Sequence, residues 1–248
     1  MARTPHIVAL HGFTGSGEDF EALPLPLDAP DLPGHGKNAG LPCTLEAVEA
    51  LIALRPDSVL LGYSMGARIA LHLALRRSPR ALVLISGSPG LASEDERAAR
   101  RAADEALDAG SPDFADRWEQ TPILRSQAKI PAPFGERLRA RRRQNAGPGL
   151  AAALRGLGTG ALPSLWGELP RISMPVLLIT GSIDTKFCAI NAAMAAVMPR
   201  ARHEVIPGVG HTAHLEAPGE VAARIEDFLA EMEDDGGSPS ANQSPKRR

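Results

Sequence analysis

Two cysteines, Cys43 and Cys188, are all that the 248 residues provide. So few thiols, with neither metal-ligand spacing nor disulfide density, exclude a disulfide scaffold and a cysteine-based metal site. They read instead as small buried or half-buried side chains of a reduced compartment. No apolar run approaches the twenty residues of a membrane helix, and residues 7–10 are too short for a signal-peptide core. A cytoplasmic protein is expected. Charge of one sign is missing as well. The 27 Lys and Arg against 29 Asp and Glu leave a formal charge of −2, which gives no reason to expect nucleic acid or an anionic membrane as partner. No G-K-[ST] and no G-x-G-x-x-G follows the first glycine-rich loop, which discounts a nucleotide. No His or carboxylate pair has zinc-ligand spacing, so neither metal nor cofactor is expected, and no protein partner is evident. Aromatics stand at 4%, a compositional bias with no functional message.

What is present is ordinary for a globular protein, at 44% hydrophobic and 23% charged. The chain is long enough for one large core. Its organising stretch is Leu60-Leu61-Gly62-Tyr63-Ser64-Met65-Gly66-Ala67-Arg68. A buried strand leads in, a helix leads out, and Gly62-x-Ser64-x-Gly66 between them fits the nucleophile elbow. The turn lifts the serine hydroxyl above the sheet. It also opens a helix whose first N–H, that of Met65, is free for an oxyanion.

Upstream, the apolar run ending at Leu10 suits a central strand, with the loop His11-Gly12-Phe13-Thr14-Gly15-Ser16-Gly17 at its carboxyl end. The Phe13 N–H could supply a second oxyanion donor. Residues 24–30 read as an edge strand, Thr44 as the N-cap of a helix, and residues 81–86 as another buried strand. From residue 87 to about 174 the strand pattern vanishes while charged helical segments recur at 93–109, 112–118, 134–145 and 149–154. That is far more than a parallel crossover needs, and points to a helical cap over residues 88–174, inserted in a core of 1–87 and 175–233. The cap holds both tryptophans, Trp118 and Trp166. It also carries an arginine run at Arg137, Arg139, Arg141, Arg142 and Arg143, which reads first as a solvated face. A strand at 175–180, a helix at 187–197, a short strand at 204–206 and a closing helix at 218–232 follow. Residues 234–248 read as a disordered tail.

Alternating strands and helices predict an α/β protein with a parallel, doubly wound sheet. In such a sheet Ser64, Asp184 and His211 all fall at strand carboxyl ends, in the chain order of the α/β-hydrolase fold. A serine hydroxyl is nearly inert at neutral pH, so an imidazole must take its proton, and a carboxylate must fix the imidazole tautomer. Asp184 could instead cap the helix after it, and His211 could merely hold a loop. His11 and His35 are expected to hold loops. His6, His72, His203 and His214 are left structural.

Over nearly its whole length the sequence resembles the 2-succinyl-6-hydroxy-2,4-cyclohexadiene-1-carboxylate synthases of menaquinone biosynthesis, enzymes of the α/β-hydrolase fold. The matching segments are Leu10–Ser16, Asp31–Gly36, Gly62–Arg68, Ser88–Leu91, Leu154–Gly160, Asp184-x-Lys186-Phe187 and Gly210-His211-x-x-His214-x-Glu216-x-Pro218. The cap segment from Leu154 to Trp166 and the stretch after Asp184 are the specific ones. The resemblance implies a lyase that removes pyruvate by proton abstraction and 2,5-elimination, with Ser64 as base. It also implies a small polycarboxylate substrate bound by Arg68, Tyr63, Trp118 and Arg142. Arg142 is taken from several possible registers of its run, and Glu105 stands where some relatives place a further cap arginine. The residues alone leave other readings open: an esterase, thioesterase or carbon–carbon bond hydrolase with Ser64 as nucleophile, or a non-catalytic receptor on the same scaffold. Inward-pointing arginines favour the lyase, and an apolar pocket the hydrolase.

Overall fold

A computed structural model describes residues 5–145 and 147–236 of the chain. Six strands form one all-parallel sheet: β1 (Ile7–Leu10), β2 (Leu27–Asp28), β3 (Val59–Tyr63), β4 (Ala81–Ile85), β5 (Val176–Gly181) and β6 (Ala201–Ile206), in the order β2-β1-β3-β4-β5-β6. Around it lie α1 (Leu45–Leu51), α2 (Met65–Arg77), α7 (Thr185–Val197), α8 (Ala213–Glu216) and α9 (Pro218–Gly236). The segment from β4 to β5 carries α3 (Glu94–Ala106), α4 (Phe114–Glu119), α5 (Ala132–Asn145) and α6 (Pro148–Leu157).

The central strands are apolar on both faces because both faces are covered. Val8, Leu10, Leu60, Leu82, Leu84 and Leu178 pack with Val48, Ile69, Leu73 and Met194 of α1, α2 and α7. Their neighbours Ile7, Ala9, Val59, Leu61, Val83 and Ile85 face the other way, onto Val221, Ile225 and Phe228 of α9. Thr44 caps α1 as expected, its Oγ1 accepting from the Ala47 N–H at 3.2 Å.

Some expectations shift. β6 begins at Ala201 rather than residue 204. It is an edge strand whose Arg202 and Glu204, two residues apart on one face, pair at 3.1 Å, so it never reads as an apolar run. Between β4 and β5 there is no strand among the described residues, as the pattern implied. A 3-10 helix at Pro122–Lys129, which no periodicity announced, joins the four α-helices there. The closing helix runs on to Gly236, so residues 234–236, expected in the tail, are helical. Residues 237–248 of that tail lie outside the described residues. No helix among the described residues is long and apolar enough to cross a membrane.

Candidate active site

The elbow is built from backbone constraints. Ser64 sits at φ +52°, ψ −107°, a conformation that side chains other than glycine rarely adopt. Its N–H is tied to the Ile85 carbonyl of β4 at 2.9 Å. The flanking glycines are obligatory because a Cβ on Gly66 would fall 2.0 Å from the Leu10 carbonyl oxygen. One on Gly62 would fall 2.5 Å from the Ala67 Cα. Sheet, turn and helix can therefore meet only here.

Three loops at strand carboxyl ends converge on that hydroxyl. His211 Nε2 lies 2.9 Å from Ser64 Oγ, and His211 Nδ1 lies 2.6 Å from Asp184 Oδ2. The carboxylate accepts the Nδ1 proton, so Nε2 is left to accept from the serine. Asp184 precedes α7 at the N-cap position yet makes no side-chain capping bond, so its carboxylate serves His211 and not the helix. His211 is 3% exposed and flanked by the rings of Phe187 and Tyr63. Glu216 braces its loop from below, accepting from the N–H groups on either side of His211: Gly210 at 2.7 Å and Thr212 at 3.2 Å. Ser126 adds a third bond to the same carboxylate.

Above this relay is a cleft of about 340 Å³ roofed by the helical segment. Phe13 and Met65 line it. Met65 opens α2, so its N–H has no intrahelical partner, and the Phe13 N–H takes no protein partner among the described residues. Tyr63, Arg68, Trp118 and Arg142 line it too. Burial raises the Tyr63 hydroxyl above the ordinary phenol range. Trp118 stands edge-on to Phe13, ring centres 5.2 Å apart.

The cations of the cleft fall into two groups. Arg142 is 4% exposed and fully engaged, with Thr14 Oγ1 at 3.2 Å, Glu119 at 3.2 Å and Gln127 at 3.1 Å. Arg100 pairs with Asp104 at 2.7 Å. Arg68 has no carboxylate partner among the described residues: it donates to the Leu157 carbonyl at 3.3 Å, and its Nε is unpartnered. Burial, with the nearby Arg100 charge, pulls the Arg68 guanidinium down to about 10, so it stays charged at neutral pH. Lys186 lies over the Phe187 ring and likewise has no paired carboxylate among the described residues. Asp104 attracts Arg68 through space without pairing with it, and a buried guanidinium that lacks a paired carboxylate is costly unless a ligand anion completes it.

The sequence brought Ser64, Asp184, His211, Phe13, Met65, Tyr63, Arg68, Trp118 and Arg142 into question, and all nine lie in one neighbourhood. Arg100, Lys186 and Gln127 also line the cleft and were not singled out. For Lys186 the signal existed, two residues past Asp184. Glu105 does not line the cleft; it faces a separate groove beside α6, and Arg100, five residues earlier, faces inward. Arg142 is not solvated, and Arg137, Arg141 and Arg143 are ion-paired to Glu21, Asp19 and Asp116. His11 holds the Phe13 loop as expected, with Nδ1 donating to the Gly12 carbonyl and Nε2 accepting from the Leu32 N–H, both at 2.8 Å.

Comparison with known proteins agrees with this geometry. The alpha/beta hydrolase family profile matches residues 7–224. A Bacillus subtilis protein provisionally named 2-succinyl-6-hydroxy-2,4-cyclohexadiene-1-carboxylate synthase is 37% identical, covering 91% of this chain and 90% of its own length. The Serratia proteamaculans synthase of that name is 30% identical over 92% and 94%. The solved structure of MenH from S. aureus superposes with a TM-score of 0.86 at 32% identity, over 94% of this chain and 96% of that one. With its elbow, its relay and this likeness along its length, the chain belongs to the alpha/beta hydrolase family, and within it to the 2-succinyl-6-hydroxy-2,4-cyclohexadiene-1-carboxylate synthases.

Proposed function

We propose that this chain is a lyase of menaquinone biosynthesis that eliminates pyruvate from 2-succinyl-5-enolpyruvyl-6-hydroxy-3-cyclohexene-1-carboxylate. A base removes the ring proton at C2, beside the succinyl ketone. The electron pair forms the C2–C3 double bond, the C3–C4 pair moves to C4–C5, and the C5–O bond breaks to release pyruvate. Ser64 is the base, its own proton passing to His211 Nε2 while Asp184 steadies the resulting imidazolium. As the C2 proton leaves, charge moves onto the ketone oxygen, within reach of the Met65 and Phe13 N–H groups. No acyl-enzyme is required.

The observation that carries the choice is the pairing of that relay with Arg68 and Lys186, cations that have no paired carboxylate among the described residues. The substrate's three carboxylates supply the missing anions, and Arg68 takes one of them. Tyr63 and Trp118 wall the ring, and Arg142, already paired with Glu119, shapes the pocket as much as it binds. We read residues 88–174 as the cap that encloses this substrate. The free thiols of Cys43 and Cys188 fit a reduced, cytoplasmic setting. The test is direct: purified enzyme given the enolpyruvyl substrate releases one pyruvate per diene formed. Ester hydrolysis without pyruvate release overturns the assignment in favour of a hydrolase.

A further inference from the structure

The loop that presents the Phe13 N–H is not self-supporting. Thr14, the next residue, is β-branched, buried and held at φ +66°, a conformation for which such side chains are poorly suited. The loop's own restraints are few: a turn from the Gly15 N–H to the Gly12 carbonyl at 3.1 Å, and His11 beneath it. Asp31 accepts from the Gly17 N–H at 3.0 Å and the Phe13 ring packs on Phe114 and Trp118 of α4, while the remaining hydrogen bonds to Thr14 and Gly15 come from α5. Arg142 Nε donates to Thr14 Oγ1. Arg141 donates to Asp19, whose other oxygen accepts from the Ser16 N–H.

Asn145, the last residue of α5, makes the most of these contacts. Its Nδ2 donates to the Gly15 carbonyl at 2.8 Å and, at 3.4 Å, to the Thr14 carbonyl. Its Oδ1 accepts from the Gly36 N–H at 2.9 Å. Donor faces carbonyls and acceptor faces an amide, so the partners themselves fix the amide orientation. One side chain thus holds the strained peptides on one flank and the loop after His35 on the other.

We propose that Asn145 is a positioning residue: it fixes the Thr14 and Gly15 peptides so that the Phe13 N–H points at the developing oxyanion. It touches no substrate and acts through the backbone. Its grip comes from the helix carrying Arg142, so the oxyanion donor is aligned only while α5 is seated. This rests on the reading of Ser64 and Phe13 given above.

Asn145→Asp is the decisive variant, being isosteric. Its carboxylate still accepts from Gly36 but can no longer donate to the two carbonyls. The expected result is a fall in kcat of about 10- to 100-fold, part of what losing an oxyanion donor costs, with KM close to wild type. Labelling of Ser64 by a fluorophosphonate probe, which also needs the oxyanion site, slows in parallel. Asn145→Gln, with the donor retained on a longer arm, recovers part of the rate. Thermal unfolding is followed alongside, and rates are taken well below the transition. Wild-type kcat and labelling in Asn145→Asp overturn the proposal, as does a change confined to KM or to unfolding temperature. If wild type itself neither turns over the substrate nor takes the probe, the reading of Ser64 falls, and the positioning role with it.

Discussion

The sheet side of this cleft and the side formed by the helices between β4 and β5 are held in shape by different physics. On the sheet side, positions follow from backbone geometry. Ser64, Asp184 and His211 stand at the ends of parallel strands, and the glycines around them leave no other packing open. On the helical side, positions follow from side-chain hydrogen bonds and ion pairs, such as Arg142 with Glu119, Arg141 with Asp19, and Gln127 Nε2 with Thr212 Oγ1 at 2.9 Å. Neither kind tolerates an added carbon everywhere, since a Cβ on Gly156 would fall 1.9 Å from the Cys43 carbonyl oxygen, but only the second depends on matched donors, acceptors and charges. The convergent Ser64, Asp184 and His211 belong to the first side together with Arg68 and Lys186, and the second closes over them with Trp118 and Arg142.

The sharpest break is Ser64→Ala, which removes the proposed base and leaves the strained turn in place. Turnover falls by about 10⁴-fold while the unfolding temperature stays near wild type, measured by pyruvate release and calorimetry. Retained turnover would end the relay mechanism. Next comes a matched pair of glycines. Gly66→Ala drives a Cβ into the Leu10 carbonyl and costs about 3 kcal/mol in denaturant titration. Gly167→Ala, between β4 and β5, meets nothing within 4 Å and changes stability by less than about 0.5 kcal/mol. Equal effects would mean that contact at the Cβ position does not decide tolerance. Arg68→Ala tests recognition. It lowers kcat/KM by about 10- to 100-fold, mainly through KM, and leaves fluorophosphonate labelling of Ser64 unchanged.

A last comparison separates the two sides by pH. All seven histidines lie outside residues 88–174. Burial holds His35 and His214 down to about 3 and His72 to about 4, so the native state keeps them neutral where the unfolded chain binds protons. Their folded values lie below the unfolded value of about 6.5. The stability they permit is therefore complete above that pH and is lost as pH falls from there toward 4, by up to about 1.4 kcal/mol per unit for each. Unfolding temperatures at pH 7, 6 and 5 should decline, and His72→Phe should flatten the decline. A level profile in wild type would contradict the buried, neutral assignment.

The sheet, the elbow and the three convergent residues were legible because each writes a local pattern: apolar runs of strand length, glycines at fixed offsets, and chain order. The bland alternative for Asp184 fell to one geometric fact, the direction its carboxylate takes. The segment between β4 and β5 was legible as helix but not as a surface. Within the run from Arg137 to Arg143 the chain repeats one residue type, and only the seating of α5 against the Phe13 loop decides that Arg142 turns inward while Arg143 pairs with Asp116 outside. Arg100 in place of Glu105, Glu216 under His211, and Asn145 are tertiary facts of the same kind. For Asn145 and Glu216 the partners lie 90 to 131 residues away or across a turn, where no periodicity reaches. β6 was cut short because an edge strand carries charge on its open face.

The helices over the cleft leave the sheet after β4 and return at β5, and those two strands are hydrogen-bonded neighbours, with Leu82 beside Val176. The excursion leaves at Ile85 and returns at Val176, three residues back along the neighbouring strand, so its ends are pinned about 11 Å apart. A cassette of any length can be spliced between them without altering the register of a single strand. New ligand preferences can thus be grafted onto this scaffold by exchanging the excursion whole, provided the replacement again brings an amide to clasp the carbonyls of residues 14 and 15.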